Sequence, residues 1–212
     1  MEIEYFGHSC FKLTDEKRSI VFDPFGDIGY RQPRLKADYC VCSHKHYDHF
    51  ATDYVDCKEV ITEENADKFD FLGTMMSWHD ECRGKKRGAN TIFLYYSEDN
   101  TIFCHMGDIG EPLTDTALEV LRADVLAIPV GGNYTIDAQE AKKYCDLIRP
   151  GLIIPMHYKT ARSNIDIAPK SEFLSLYSPE KLVKLDRSLV VGNGCVGDEF
   201  YGKVVDFNDD EF

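Results

Sequence analysis

Three histidines and an aspartate fall within six positions of the segment SHKHYDHF, as His44, His46, Asp48 and His49, in a chain that holds seven histidines altogether. The segment directly follows the apolar run YCVC, and loops at strand ends are where sites are usually built. In extended backbone, residues 44 and 46 project to one side, so both imidazoles reach one cation. The turn that follows offers Asp48 and His49 to a second cation close by. A plain polar loop does not account for such a density of imidazoles. Three further candidate ligands each end a strand-like run of their own: His79 in TMMSWHD, Asp108 in IFCHMGD and His157 in IIPMHY. Singly each is a weak signal; together they complete two sets.

The elements that must position these residues are legible in outline. Short β-rich runs fill the first half: residues 3–6, 11–13, 19–23, 39–43, 90–96 and 100–105, separated by turn residues such as DEKR and SEDN. The second half alternates: a helix over 114–123, a buried strand over 124–130, a helix over 137–148 and a strand over 151–156. Thr114 and Asp137 stand where N-caps belong. A further helix is expected over 170–177, then closing strands in LVKL and SLVVG. Residues 203–212, ending in DFNDDEF, read as a solvated acidic tail. Strands first and alternation later suit two sheets packed face to face with helices outside, in one unit spanning residues 1–212.

The order H-x-H-x-D-H, then His, then Gly-Asp, then His resembles the metallo-β-lactamase superfamily of binuclear metallohydrolases. GHSCF at 7–11, FDPF at 22–25, RGAN at 87–90, HMGDIG at 105–110, PVGGNYT at 129–135 and IPMHY at 154–158 resemble the branch that includes L-ascorbate-6-phosphate lactonase. The resemblance runs from about residue 3 to 160. It implies a four-layer αβ/βα sandwich with two metals at one edge between the sheets. Carried over by position, it puts His44, His46 and His79 on one metal, Asp48, His49 and His157 on the other, and Asp108 between them. His79 sits in WHD where many relatives have Gly-His-Thr, and His105, three residues before Asp108, competes for its place. The superfamily order favours His79, because the strand NTIFLYY separates it from IFCHMGD. Diiron oxygen-reducing relatives carry a carboxylate where this chain has His46, which argues against redox chemistry.

Two divalent cations about 3.5–4 Å apart share a bridging water and lower its pKa from about 15.7 towards neutrality. The expected function is therefore a binuclear hydrolase whose bridging hydroxide attacks a small lactone or ester, with Asp48 orienting that nucleophile. Five histidines and two aspartates without cysteine suit Zn²⁺, with Mn²⁺ or Ni²⁺ as alternatives. Two cations, two carboxylates and one hydroxide leave the site at roughly +1, which favours an anionic substrate. His8 in GHSCF fits either substrate contact or structural hydrogen bonding, and His105 fits a residue that orients a ligand. Asn133 and Tyr134 in PVGGNYT, with Lys159 and Arg162 after His157, are candidates for substrate contact. The basic cluster RGKKR at 83–87 reads either as a solvated loop or as a rim that draws anions in.

Composition bounds the alternatives. The net charge is −13 over 212 residues, which disfavours a nucleic-acid partner and with it the phosphodiesterase or nuclease reading. A metal-binding sensor without turnover would show lost ligands, and none is lost. No run approaches the ~18 apolar residues of a membrane span, and MEIEYFGHSC opens with acids, so a cytoplasmic protein is expected. In that compartment the eight cysteines stay reduced, Cys40 and Cys42 pointing to one face as small buried hydrophobes. With 43 residues before His44 and 55 after His157, an open site for a small molecule is expected, in a chain for which a homo-oligomer is the common default.

Overall fold

The computed structural model describes residues 1–192 and 196–209. Two twisted sheets pack face to face. The first has the strand order β14-β1-β2-β3-β5-β7, built from β1 (Glu2–Tyr5), β2 (Phe11–Thr14), β3 (Ser19–Phe22), β5 (Tyr39–Val41), β7 (Glu59–Ile61) and β14 (Ser188–Val190). The second has the order β13-β15-β12-β11-β10-β9-β8, built from β8 (Leu72–Trp78), β9 (Ala89–Tyr96), β10 (Ile102–His105), β11 (Val125–Pro129), β12 (Leu152–Met156), β13 (Leu182–Leu185) and β15 (Lys203–Phe207). A small parallel pair, β4 (Leu35–Lys36) with β6 (Val55–Asp56), lies apart from both.

Alternation along the strands sets the layers. Ile20, Phe22 and Val41 face the core between the sheets, while Val21, Cys40 and Cys42 face outward into a second apolar cluster with Phe25, Ile28 and Leu35. Cys40 and Cys42 thus share a face, their sulfurs 3.9 Å apart and buried. The seven cysteines within the described residues are free thiols; Cys195 lies outside them. Strands β11 and β12 are buried at every position, as continuous apolar runs between parallel neighbours must be.

Three helices cover the second sheet: α1 (Asp115–Val120), α2 (Ala138–Ile148) and α3 (Lys170–Leu174), with α3 against β12 and α2 between its two neighbours. Thr114 and Asp137 cap α1 and α2, accepting from the backbone N–H of Ala117 and Glu140. Helix α2 buries one stripe, Ala138, Ala141, Tyr144 and Cys145. Helix α1 stops short of residue 123 because the backbone N–H of Asp124 must pair with the Ile102 carbonyl to open β11. Helix α3 ends at Leu174, where the N–H groups of Leu176 and Tyr177 reach back only three residues. The outer face of the first sheet is covered by irregular chain and the β4/β6 pair rather than by α-helix.

The expected acidic tail is largely structure. Strand β15 inserts between β12 and β13, with Val204, Val205 and Phe207 buried. Lys170 neutralises Asp206 and Asp209 at 2.9 and 3.0 Å, and Tyr158 Oη donates to Asp209. The buried apolar residues of KVVDF outweigh the acids around them; of residues 203–212, Asp210, Glu211 and Phe212 lie outside the described residues.

Strand direction places the site. Strands β1 and β2, and β2 and β3, are antiparallel, and β3 and β5 are parallel, so β1, β3 and β5 run the same way. By the same reckoning β8, β10, β11 and β12 run alike in the other sheet. Every candidate ligand follows the C-terminal end of one of these strands.

Candidate metal centre

The segment from 43 to 49 is a series of bends and turns rather than extended chain. The His49 N–H closes on the His46 carbonyl at 3.0 Å. The turn still brings His44 and His46 to one place, where they meet His79 from the end of β8; donor atoms of the three lie within 4.8 Å of one another. A second group within the same limit joins Asp48 and His49 to His157, from the end of β12, and to His8, from the end of β1. Asp108, after β10, lies between the two. Its Oδ2 is 3.0 Å from His79 Nε2, 3.2 Å from His157 Nε2 and 3.9 Å from His44 Nε2, while its Oδ1 is 3.2 Å from His49 Nε2.

These atoms suit a cation and suit each other poorly without one. His44 Nε2, His49 Nε2, both nitrogens of His79 and Asp108 Oδ1 are buried and have no hydrogen-bond partner. Buried polar atoms are ordinarily satisfied, so lone pairs converging unpaired on a common space fit divalent metal. Burial pushes the His44 imidazole well below its usual pKa. The same effect takes His8 down to about 4, which keeps it neutral at pH 7. Burial opposes ionisation of Asp108, yet the imidazoles of His157 and His49 hold its carboxyl well below the usual range.

Asp23 and Ser43 orient the histidines, and neither was singled out as functional from sequence. Asp23 Oδ2 lies 2.8 Å from His49 Nδ1, which directs Nε2 of that ring at Asp108. Ser43 donates its hydroxyl to Asp23 at 2.6 Å and its N–H at 2.7 Å, and its Oγ lies 2.9 Å from His44 Nδ1. A third grouping of donors, Asp23, His44 and His49, is thereby occupied by internal hydrogen bonds. The available signal was an acid closing the apolar run SIVF. Asn90 accepts the Asp108 N–H at 2.8 Å and donates to the Met106 carbonyl, tying that loop to β9.

His8, Asp23 and His157 all hold left-handed backbone, with φ of 52°, 41° and 51°. Such conformations cost roughly 1 kcal/mol or more each for non-glycine residues and gather where geometry must be exact. Gly107, at φ +54°, has no room for a side chain, since a Cβ there would lie 2.2 Å from Asn90 Oδ1. Gly131 is likewise pressed against the His157 carbonyl.

The remaining candidates separate. His105 joins neither donor group: its Nε2–H donates to the Ser9 carbonyl at 2.9 Å and its Nδ1 accepts the Gly107 N–H, so it braces the loop before Asp108. Tyr134 lines the cavity over the cluster, which has a volume of about 620 Å³. Asn133 instead donates to the Asp166 carbonyl, and Lys159 spends its ammonium on the Ile165 carbonyl. Neither they nor Arg162 lines that cavity. His8, in the turn after β1, stands within the donor cluster, its Nε2 3.3 Å from Asp48 Oδ2 and its ring 4.3 Å from that of His157.

Residues 2–157 match the family model for the β-lactamase superfamily domain. A UPF0173 protein of Pyrococcus abyssi is 28% identical over 179 residues, covering 76% of this chain and 84% of its own. A UPF0173 metal-dependent hydrolase of Staphylothermus marinus is 27% identical, covering 74% and 83%. Among solved structures, a protein of Thermotoga maritima assigned as a Zn-dependent hydrolase of the metallo-β-lactamase superfamily is 31% identical, with 97% of each chain covered and a TM-score of 0.74. With the histidine cluster at the paired sheet ends and a family match over most of its length, this chain belongs to the metallo-β-lactamase superfamily of metal-dependent hydrolases.

Proposed function

We propose that this hydrolase works with two divalent cations, zinc foremost and manganese or nickel as alternatives, on a small anionic lactone or ester. In this reading His44, His46 and His79 hold one cation, Asp48, His49 and His157 the other, and Asp108 serves both. The observation that carries it is the position of Asp108, whose two oxygens reach imidazoles of both groups. A bound pair of divalent cations supplies a water acidified towards neutrality and polarisation of the carbonyl or phosphoryl oxygen under attack.

The protein's own groups do the rest. Asp48, buried yet lining the cavity, is held as a carboxylate: burial opposes its charge, but the neighbouring His49 and His8 pull its pKa below the usual range. As a carboxylate it is able to hold a cation and to orient the attacking water by accepting its hydrogen bond. His8, neutral and 3.3 Å away, fixes the direction of that carboxylate through Nε2. The cavity volume admits a small molecule, consistent with the 300–1,000 Å³ typical of such sites.

Metal analysis of purified protein, with a panel of lactones, acyl esters and phosphodiesters assayed under Zn²⁺ and Mn²⁺, tests this reading. Close to two metals per chain with lactone or ester turnover is expected. A single metal, or cleavage of bis-(p-nitrophenyl) phosphate with no lactone or ester activity, overturns it.

A further inference from the structure

We propose that Arg87, held over the Tyr134 ring, is the specificity-determining anchor for an anionic substituent of the substrate, a carboxylate or phosphate borne beside the bond that is cleaved. The inference rests on the hydrolase reading above and adds the group by which substrates are chosen.

The basic cluster at 83–87 divides sharply. Arg83, Lys85 and Lys86 are exposed, and Lys86 pairs with Glu81. Arg87 alone of the cluster is a wall of the cavity that His79, Asp108 and His157 also line. Among the described residues no carboxylate lies within ion-pair distance of its guanidinium, including Asp166, an exposed acid of the same wall. The other cation of that wall, Lys45, is taken by Glu64 at 2.7 Å. A guanidinium facing a binding cavity without a counter-ion keeps its forked donors for a ligand.

Its position is built into the backbone. Asp80, buried and next in sequence to His79, accepts four main-chain N–H groups: Cys82 at 2.9 Å, Gly84 at 3.1 Å, Lys86 at 2.9 Å and Arg87 at 2.8 Å. The loop that carries Arg87 is therefore tied to the residue beside a donor of the metal cluster. On the other side, the Arg87 Cζ lies 5.3 Å from the centre of the Tyr134 ring. The Tyr134 loop is itself seated by Gly131 on the His157 carbonyl. A cation–π contact of this kind holds a guanidinium in place while leaving its forked donors free to grip a planar anion with two hydrogen bonds. Arg87 is thus pinned from the His79 side and from the His157 side, in one cavity with both.

A matched pair of esters reads the contact in the metal-loaded protein: 4-acetoxybenzoate, which carries a free carboxylate that cannot reach its own ester, and the neutral methyl 4-acetoxybenzoate. Arg87→Ala should lower the preference for the anionic over the neutral ester about 10- to 100-fold, chiefly through the KM of the anionic ester. Arg87→Lys should restore it only in part. The double variant Arg83→Ala, Lys85→Ala should keep the preference, since those cations lie outside the cavity. Equal loss on both esters, no loss on either, or an equal effect from the double variant overturns the anchor. Should the wild type cleave neither ester, the ester reading of the site loses its support, and calorimetric titration with phenylphosphonate then decides the anchor. Affinity weaker by about 10-fold or more in Arg87→Ala supports it, whereas unchanged affinity, or no binding to the wild type, overturns it.

Discussion

Asp23 Oδ2 stands 2.8 Å from His49 Nδ1, although the two residues leave different strands and are separated by 26 positions. The contact closes because β3 and β5 are parallel neighbours, so their C-terminal ends emerge side by side. One carboxylate thereby sets the direction of an imidazole in the turn and, through Ser43, of His44 as well.

Replacing Asp23 with Asn should weaken that orientation without emptying the space. Metal affinity, measured by competition with a chromophoric chelator, is expected to fall about 10- to 100-fold, with the fold intact by circular dichroism. Unchanged affinity would remove Asp23 from the account of the centre.

Asp108→Ala deletes the group that reaches both donor sets. Purified variant protein should lose at least one of two metals by elemental analysis, and hydrolysis should fall at least about 100-fold. A metal content equal to that of the wild type counts against the binuclear reading.

Phe207 is buried in the last strand, its ring 5.0 Å from that of Tyr5. Phe207→Ala is expected to cost about 3–5 kcal/mol in urea unfolding, because the cavity forms in the main core. A change below about 0.5 kcal/mol, the surface range, would mean that the segment behaves as the solvated tail its acids suggest.

Asp38 knits the first sheet, accepting the Lys58 ammonium at 2.7 Å and the Ser19 N–H at 2.8 Å. These two contacts draw its carboxyl down to about 2, against about 3.9 in an unfolded chain. The folded protein thus binds the proton less readily, so the contribution is present above about pH 4 and is lost as pH falls towards 2. Asp38→Asn should cost less than about 1 kcal/mol at pH 7 and flatten that acid limb, as followed by urea midpoints between pH 2 and 5. An acid limb identical to that of the wild type would place the acid sensitivity elsewhere.

The centre was legible from residue type because metal chemistry is demanding about donors: few reasons other than a cation gather imidazoles as SHKHYDHF does. Strand-like runs ahead of His79, Asp108 and His157 pointed to sheet ends for the same reason that β11 and β12 read clearly, as apolar stretches bounded by turns. Asp23 and Ser43 were hidden because an acid after a strand and a serine in a loop are common, and only their partners distinguish them. KVVDF was hidden by the charge around it, since three apolar residues in a run of five are a weak signal beside the four acids Asp206, Asp209, Asp210 and Glu211.

From residue order alone follow the superfamily pattern, the choice of seven side chains as candidate metal ligands and the layering of the sheets, each of which depends on local identity or a period of two along a strand. Tertiary structure decided what depends on strand direction and on which loops meet. It set His8 beside Asp48, turned His105 into a brace, and took Lys159 and Asn133 away from the cavity. From five clustered positions it also chose Arg87 to face the cavity. Spacing along a chain reports which atoms are available; the distance between atoms brought from separate strands is set only when the sheets close on each other.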